Sequence, residues 1–170
     1  MKIAICQINP IVGDFDYNHN LLLKYYKNCI GLNADIIVFP ELIISGYPPQ
    51  DLLWEDGFVD QNLLILNEIA SVSSTPLIFG FVRKENGRLF NSAAVCFDGK
   101  LQSTTDKILL PTYDVFDEER YFTSGDEPKV VPIPVKGKQV NLGVQICEDL
   151  WDHHYDCKVS QIQKDKGADV

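Results

Sequence analysis

The chain has 170 residues, of which 45% are hydrophobic and 23% charged, with a formal net charge of −9 and a pI near 4.7. That length supports one full hydrophobic core, and the composition excludes a chain that is disordered throughout. No basic stripe is available to neutralise phosphates, so nucleic acid and anionic membrane surfaces are both excluded as expected partners.

The first strand is expected over about 2–8, followed by the turn-prone segment Asn9 to Asp14 and a helix near 16–30. Within that helix Leu21, Leu22, Tyr25, Tyr26 and Cys29 recur at helical spacing, and Gly31 reads as its stop signal. The continuously apolar run Asp35 to Phe39 reads as a strand buried on both faces, closed by Pro40, with Glu41 just beyond. A second helix is expected over roughly 59–72. Three strands follow, at 77–82, 89–97 and 100–107, joined by Asn86-Gly87 and Asp98-Gly99. Another hairpin pairs 130–135 with 139–146 across Lys136-Gly137, and a final helix over about 155–166 ends at Gly167. This order predicts a layered α/β sandwich with mixed sheets in place of a doubly wound parallel fold. The closing Gly167-Ala-Asp-Val170 repeats the grammar of Gly31 to Asp35, so the chain is expected to stop just before another core strand.

No stretch reaches the roughly 18 apolar residues of a membrane span. The N-terminal residues show no basic leader followed by an apolar stretch and a cleavage site, and a cytoplasmic location is expected. Cys6, Cys29, Cys96, Cys147 and Cys157 are odd in number and form no C-x-x-C pair, which disfavours a disulfide scaffold or structural zinc. The sequence contains neither a G-x-S-x-G elbow nor a G-x-x-x-x-G-K-[ST] phosphate loop.

Three residues at strand ends carry candidate chemistry. Cys147 closes an alternating strand and precedes two carboxylates; it reads as a nucleophile or as a small buried hydrophobe. Glu41, beside an apolar strand whose surroundings would favour its proton-holding form, reads as a base for that thiol or as a cap or surface ion pair. Lys107 reads as an oxyanion stabiliser or as a strand-edge lysine. Spacing alone leaves each pair of readings open.

Phe39-Pro-Glu-Leu42, Lys107-Ile-Leu-Leu-Pro111 and Gln145-Ile-Cys-Glu-Asp149 resemble the Glu–Lys–Cys segments of the nitrilase superfamily. Ser45 to Leu53, Lys107 to Phe122 and Cys147 to Trp151 are similar, more specifically, to the glutaminase part of glutamine-dependent NAD⁺ synthetases. The resemblance spans essentially residues 1–170 and implies an α-β-β-α sandwich, cut short here. It also implies Glu41 as general base, Lys107 as electrostatic stabiliser, Cys147 as nucleophile and Glu118 as the residue orienting Lys107. Tyr47, Tyr113 and Glu148 match positions lining the glutamine pocket.

The implied reaction is hydrolysis of the glutamine amide, with ammonia passed to a synthetase domain that uses ATP and Mg to make NAD⁺. That domain is absent from these residues, which hold no cofactor or metal of their own on this reading. Homo-oligomers are implied as well. The alternatives are a stand-alone amidase or carbamoylase for another small amide, and a catalytically inactive interaction module on the same scaffold.

Overall fold

The computed structural model describes residues 1–170. Strands β1 (Ile3–Ile5), β2 (Ile36–Val38), β3 (Leu77–Glu85), β4 (Arg88–Phe97) and β5 (Lys100–Asp106) form one sheet in that order. The β1–β2 and β2–β3 pairs are parallel, while β3–β4 and β4–β5 are antiparallel. A second sheet pairs β6 (Val131–Val135) with β7 (Lys138–Leu142).

Helices α1 (Phe15–Gly31) and α2 (Phe58–Ser71) cover one face of the first sheet. Leu22, Tyr26, Ile65 and Ile69 pack there on Ile37, Leu77, Phe79 and Phe81. The alternate residues of the same strands, Ile36, Ile78, Ala93 and Val95, face Val131, Ile133, Val135 and Leu142 of the second sheet. This period-two division of side chains makes the five strands the middle of a sandwich. The short helix α3 (Val159–Asp165) rests beside the second sheet, where Gln163 Nε2 donates to the carbonyls of Lys129 and Val144. The expected mixed α-β-β-α arrangement is therefore present, with one seven-residue helix as its last layer.

The hairpin signals hold for a local reason. At Asn86-Gly87, Asp98-Gly99 and Lys136-Gly137 both central residues adopt positive φ, the geometry that two-residue turns require. Helix α1 begins with Asp14 accepting the Tyr17 N–H. It ends at Gly31, as its sequence suggests. Asn33 takes the left-handed conformation, its N–H bonds Ile30 O, and the Ala34 N–H bonds Cys29 O, a complete Schellman motif.

Two expectations need correction. The strand expected over 139–146 stops at Leu142, because its partner begins at Val131, directly opposite Leu142, and leaves later residues no ladder. The Gly143 N–H bonds Val170 O instead. The final helix is confined to Val159–Asp165, since Cys147–His154 forms a 3₁₀ segment that ends at an extended Tyr155. Two more 3₁₀ turns are Gln50–Trp54 and Glu118–Arg120. All cysteines are free, although the buried Cys6 and Cys29 sulfurs lie 3.5 Å apart. No helix is long and apolar enough to cross a membrane.

Candidate active site

Lys107 follows β5 directly, with its N–H on Asn91 O at 2.8 Å and its side chain wholly buried. An unpaired ammonium there would be very costly. Its Nζ donates to Glu41 Oε1 and to Glu118 Oε1, both at 2.8 Å. Desolvation, the largest single influence, pulls the Lys107 pKa down, but the two carboxylates together outweigh it and the net direction is upward. Lys107 is a fixed cation.

Glu41 sits in the turn after β2, where Leu42 adopts a φ of +45°. That turn lies across Gly80 of β3, whose N–H donates to Pro40 O at 3.1 Å. A Cβ on Gly80 would come within 2.7 Å of Glu41 Cα and collide with Leu42 N, so only glycine permits this approach. The apolar envelope expected for the carboxylate is replaced by two donors. Lys107 Nζ and Asn91 Nδ2, the latter at 2.6 Å, both bond Glu41 Oε1. Glu118, buried in its 3₁₀ turn, also accepts from Tyr47 OH at 2.9 Å. Burial, and then the Glu118 charge, push the Tyr47 phenol pKa far up.

Cys147 opens the 3₁₀ segment with a φ of +47°, a left-handed conformation that costs a non-glycine residue about 1–3 kcal/mol. The neighbouring Asp149 braces it. Asp149 Oδ1 accepts the Ile108 and Leu109 N–H groups at 3.0 and 2.9 Å, and Oδ2 accepts the Ile146 N–H at 3.1 Å. One buried carboxylate thus fastens the segment after Lys107 to the turn that carries Cys147. Burial raises the Asp149 pKa despite these bonds.

Cys147 is exposed, yet the protein around its sulfur removes enough water to raise the thiol pKa. Glu41 adds to that rise and Lys107 opposes it, so the resting group is a thiol. Cys147 and Glu41 line one cavity of about 110 Å³, together with Ile78, Phe79 and Ala93. The Glu148 N–H, beside the sulfur-bearing residue, has no backbone acceptor.

A second cluster adjoins Cys147. The buried Glu148 accepts Tyr113 OH on Oε2 and Tyr155 OH on Oε1, both at 2.8 Å. Burial and the Glu148 carboxylate push the Tyr155 pKa up to about 12, and the bond to Glu148 raises that of Tyr113. A carboxylate held by two phenols suits the cationic end of a small molecule.

All three sequence candidates therefore converge. Glu118 and Tyr47 join Lys107, while Tyr113 joins Glu148; Tyr47 is bonded to Glu118 and not to the Glu148 cluster. Sequence reasoning did not single out Asn91, Asp149 or Tyr155. Asn91 had a usable signal, as a polar residue inside the apolar strand 89–97; Tyr155 had none. His153 and His154 stack on each other with ring centres 3.9 Å apart and hydrogen-bond no site residue through their side chains.

Residues 2–160 match the family described as carbon-nitrogen hydrolase. The chain is 36% identical over 155 residues to a glutamine-dependent NAD(+) synthetase from Thermotoga maritima, covering 89% of this chain and 26% of that protein. It superimposes on the glutamine-dependent NAD+ synthetase of Acinetobacter baumannii, solved with ADP, with a TM-score of 0.83 and 32% identity, over 96% of this chain and 30% of that one. An amidase of the nitrilase superfamily from Nesterenkonia shares the fold, with a TM-score of 0.80 and 21% identity over 99% of this chain and 62% of that one. The chain thus spans about a quarter of the length of the curated relative it matches.

Proposed function

The chain belongs to the carbon-nitrogen hydrolase family, and on that premise we propose that it hydrolyses the side-chain amide of glutamine as the ammonia-supplying part of an NAD⁺ synthetase. One observation carries this reading. The Lys107 ammonium is held between Glu41 and Glu118, and Glu41 shares a cavity wall with the free thiol of Cys147.

Because the resting sulfur is protonated, attack needs a base at the moment of bond formation. Hydrogen bonds from the protein fall on Glu41 Oε1 alone, leaving Oε2 to take the thiol proton. As Cys147 Sγ adds to the amide carbon, charge builds on the carbonyl oxygen. The Lys107 ammonium and the unbonded Glu148 N–H are the donors available to stabilise it. Glu41 then returns its proton to the leaving nitrogen, ammonia departs, and a γ-glutamyl thioester remains. Water activated by the same carboxylate releases glutamate.

Glu148, with Tyr113 and Tyr155, supplies the acceptor for the α-ammonium group of glutamine, which a simple aliphatic amide lacks. That cluster favours glutamine over the amidase alternative. ATP and magnesium enter this reading only through a second domain that consumes the ammonia. The test is Cys147→Ala in the protein that carries this chain: glutamine-dependent NAD⁺ formation is lost while ammonia-dependent formation continues. Undiminished glutamine use refutes the assignment.

A further inference from the structure

Asn91 stands in the middle of β4, paired with Val82 of β3 and only 1% exposed. By strand alternation it shares a face with Ala93 and Val95, the face turned toward the second sheet. A primary amide in such a place is costly unless its donors and acceptor are matched. Its donors are matched and its acceptor is not. Nδ2 donates to Glu41 Oε1 at 2.6 Å and to Glu118 Oε2 at 3.4 Å, whereas Oδ1 has no partner at all. An asparagine retained for packing would not spend both donor positions on carboxylates and leave its carbonyl bare.

The charge balance explains the arrangement. Glu41, Glu118 and Lys107 sum to one uncompensated negative charge in a region with little water. Asn91 provides the extra neutral donor that both acids reach. Lys107 and Asn91 then grip Glu41 Oε1 from two directions, which stops the carboxylate from turning about its last bond. From this geometry we infer that Asn91 is the positioning residue of the site: it fixes the Glu41 carboxylate so that Oε2 is the atom that takes the Cys147 proton.

The role rests on the reading of Glu41 as base and Cys147 as nucleophile, and it is separable from the choice of substrate. Removing the Nδ2 donor frees the carboxylate to rotate, leaving Lys107 alone on Oε1. Of the other groups that act on Glu41 and Cys147, Lys107, Glu148 and Tyr47 keep their bonds on the substitution, while Glu118 loses only the longer 3.4 Å bond from Asn91.

The experiment compares Asn91→Ala and Asn91→Asp in the protein that carries this chain. It measures kcat and KM for glutamine against pH, together with the rate of Cys147 alkylation by iodoacetamide. Asn91→Ala is expected to lower kcat and alkylation by roughly tenfold, a part of the usual general-base contribution, with KM nearly unchanged. Asn91→Asp can donate only when protonated, so its deficit shrinks as pH falls, a signature that a packing role would not produce. Wild-type rates in either folded variant overturn the inference. Loss of folded protein in both variants overturns it as well, since Asn91 would then serve stability. Alkylation needs no glutamine: changed alkylation in a protein that never hydrolyses glutamine refutes the substrate assignment and leaves Asn91 standing.

Discussion

Replacing Lys107 with methionine isolates the electrostatics on which the site depends. Methionine keeps most of the buried apolar stem and removes only the ammonium. Two carboxylates are then left facing each other, Glu118 with 5% and Glu41 with 18% of its side chain exposed. Removing one partner of a buried ion pair costs about 3–5 kcal/mol, because the remaining charge stays desolvated. Glu118 takes nearly the full penalty, whereas Glu41 is partly relieved by solvent, which puts the expected loss at about 4 kcal/mol. For a folding unit of this size that corresponds to a fall in Tm of about 8–16 °C. Thermal unfolding followed by circular dichroism measures it. Lys107→Met combined with Glu118→Gln should recover much of the loss, since the second change removes the stranded charge. A Lys107→Met protein as stable as wild type, or one further weakened by Glu118→Gln, would refute the reasoning.

The raised pKa of Cys147 predicts that the thiol form predominates at neutral pH. A difference titration of ultraviolet thiolate absorbance between wild type and Cys147→Ser should show its step above the ordinary value of 9.0; a step below it contradicts the base-assisted mechanism. Linkage fixes the sign of the stability effect: the contribution of this thiol is fully present below its unfolded pKa and is lost as pH rises through the raised folded one. Gly80→Ala drives a Cβ into the Glu41–Leu42 backbone, so it should cost about 1–3 kcal/mol of stability and slow Cys147 alkylation by displacing the base. Wild-type alkylation in a folded Gly80→Ala protein would show that the close approach does not position Glu41.

What the sequence determined by itself is local or periodic. The three turn pairs announced themselves through the glycine that each carries at its second central position, preceded in two of them by Asn86 and Asp98, residues that tolerate positive φ. The order of helices and strands along the chain already implied a layered sandwich with mixed sheets. Glu41, Lys107 and Cys147 stood out as reactive groups at strand ends.

Their union was decided only by tertiary structure. Lys107 and Glu41 are 66 residues apart, and no spacing rule relates them. The ends of β7 and α3 also lay beyond local reading, because β7 stops where its partner strand begins and not where its own hydrophobic pattern fades. Asn91, Asp149 and Tyr155 show the same limit from another side. Polar side chains take their meaning from the partner they meet, and those partners come from distant segments that only folding brings within hydrogen-bond reach.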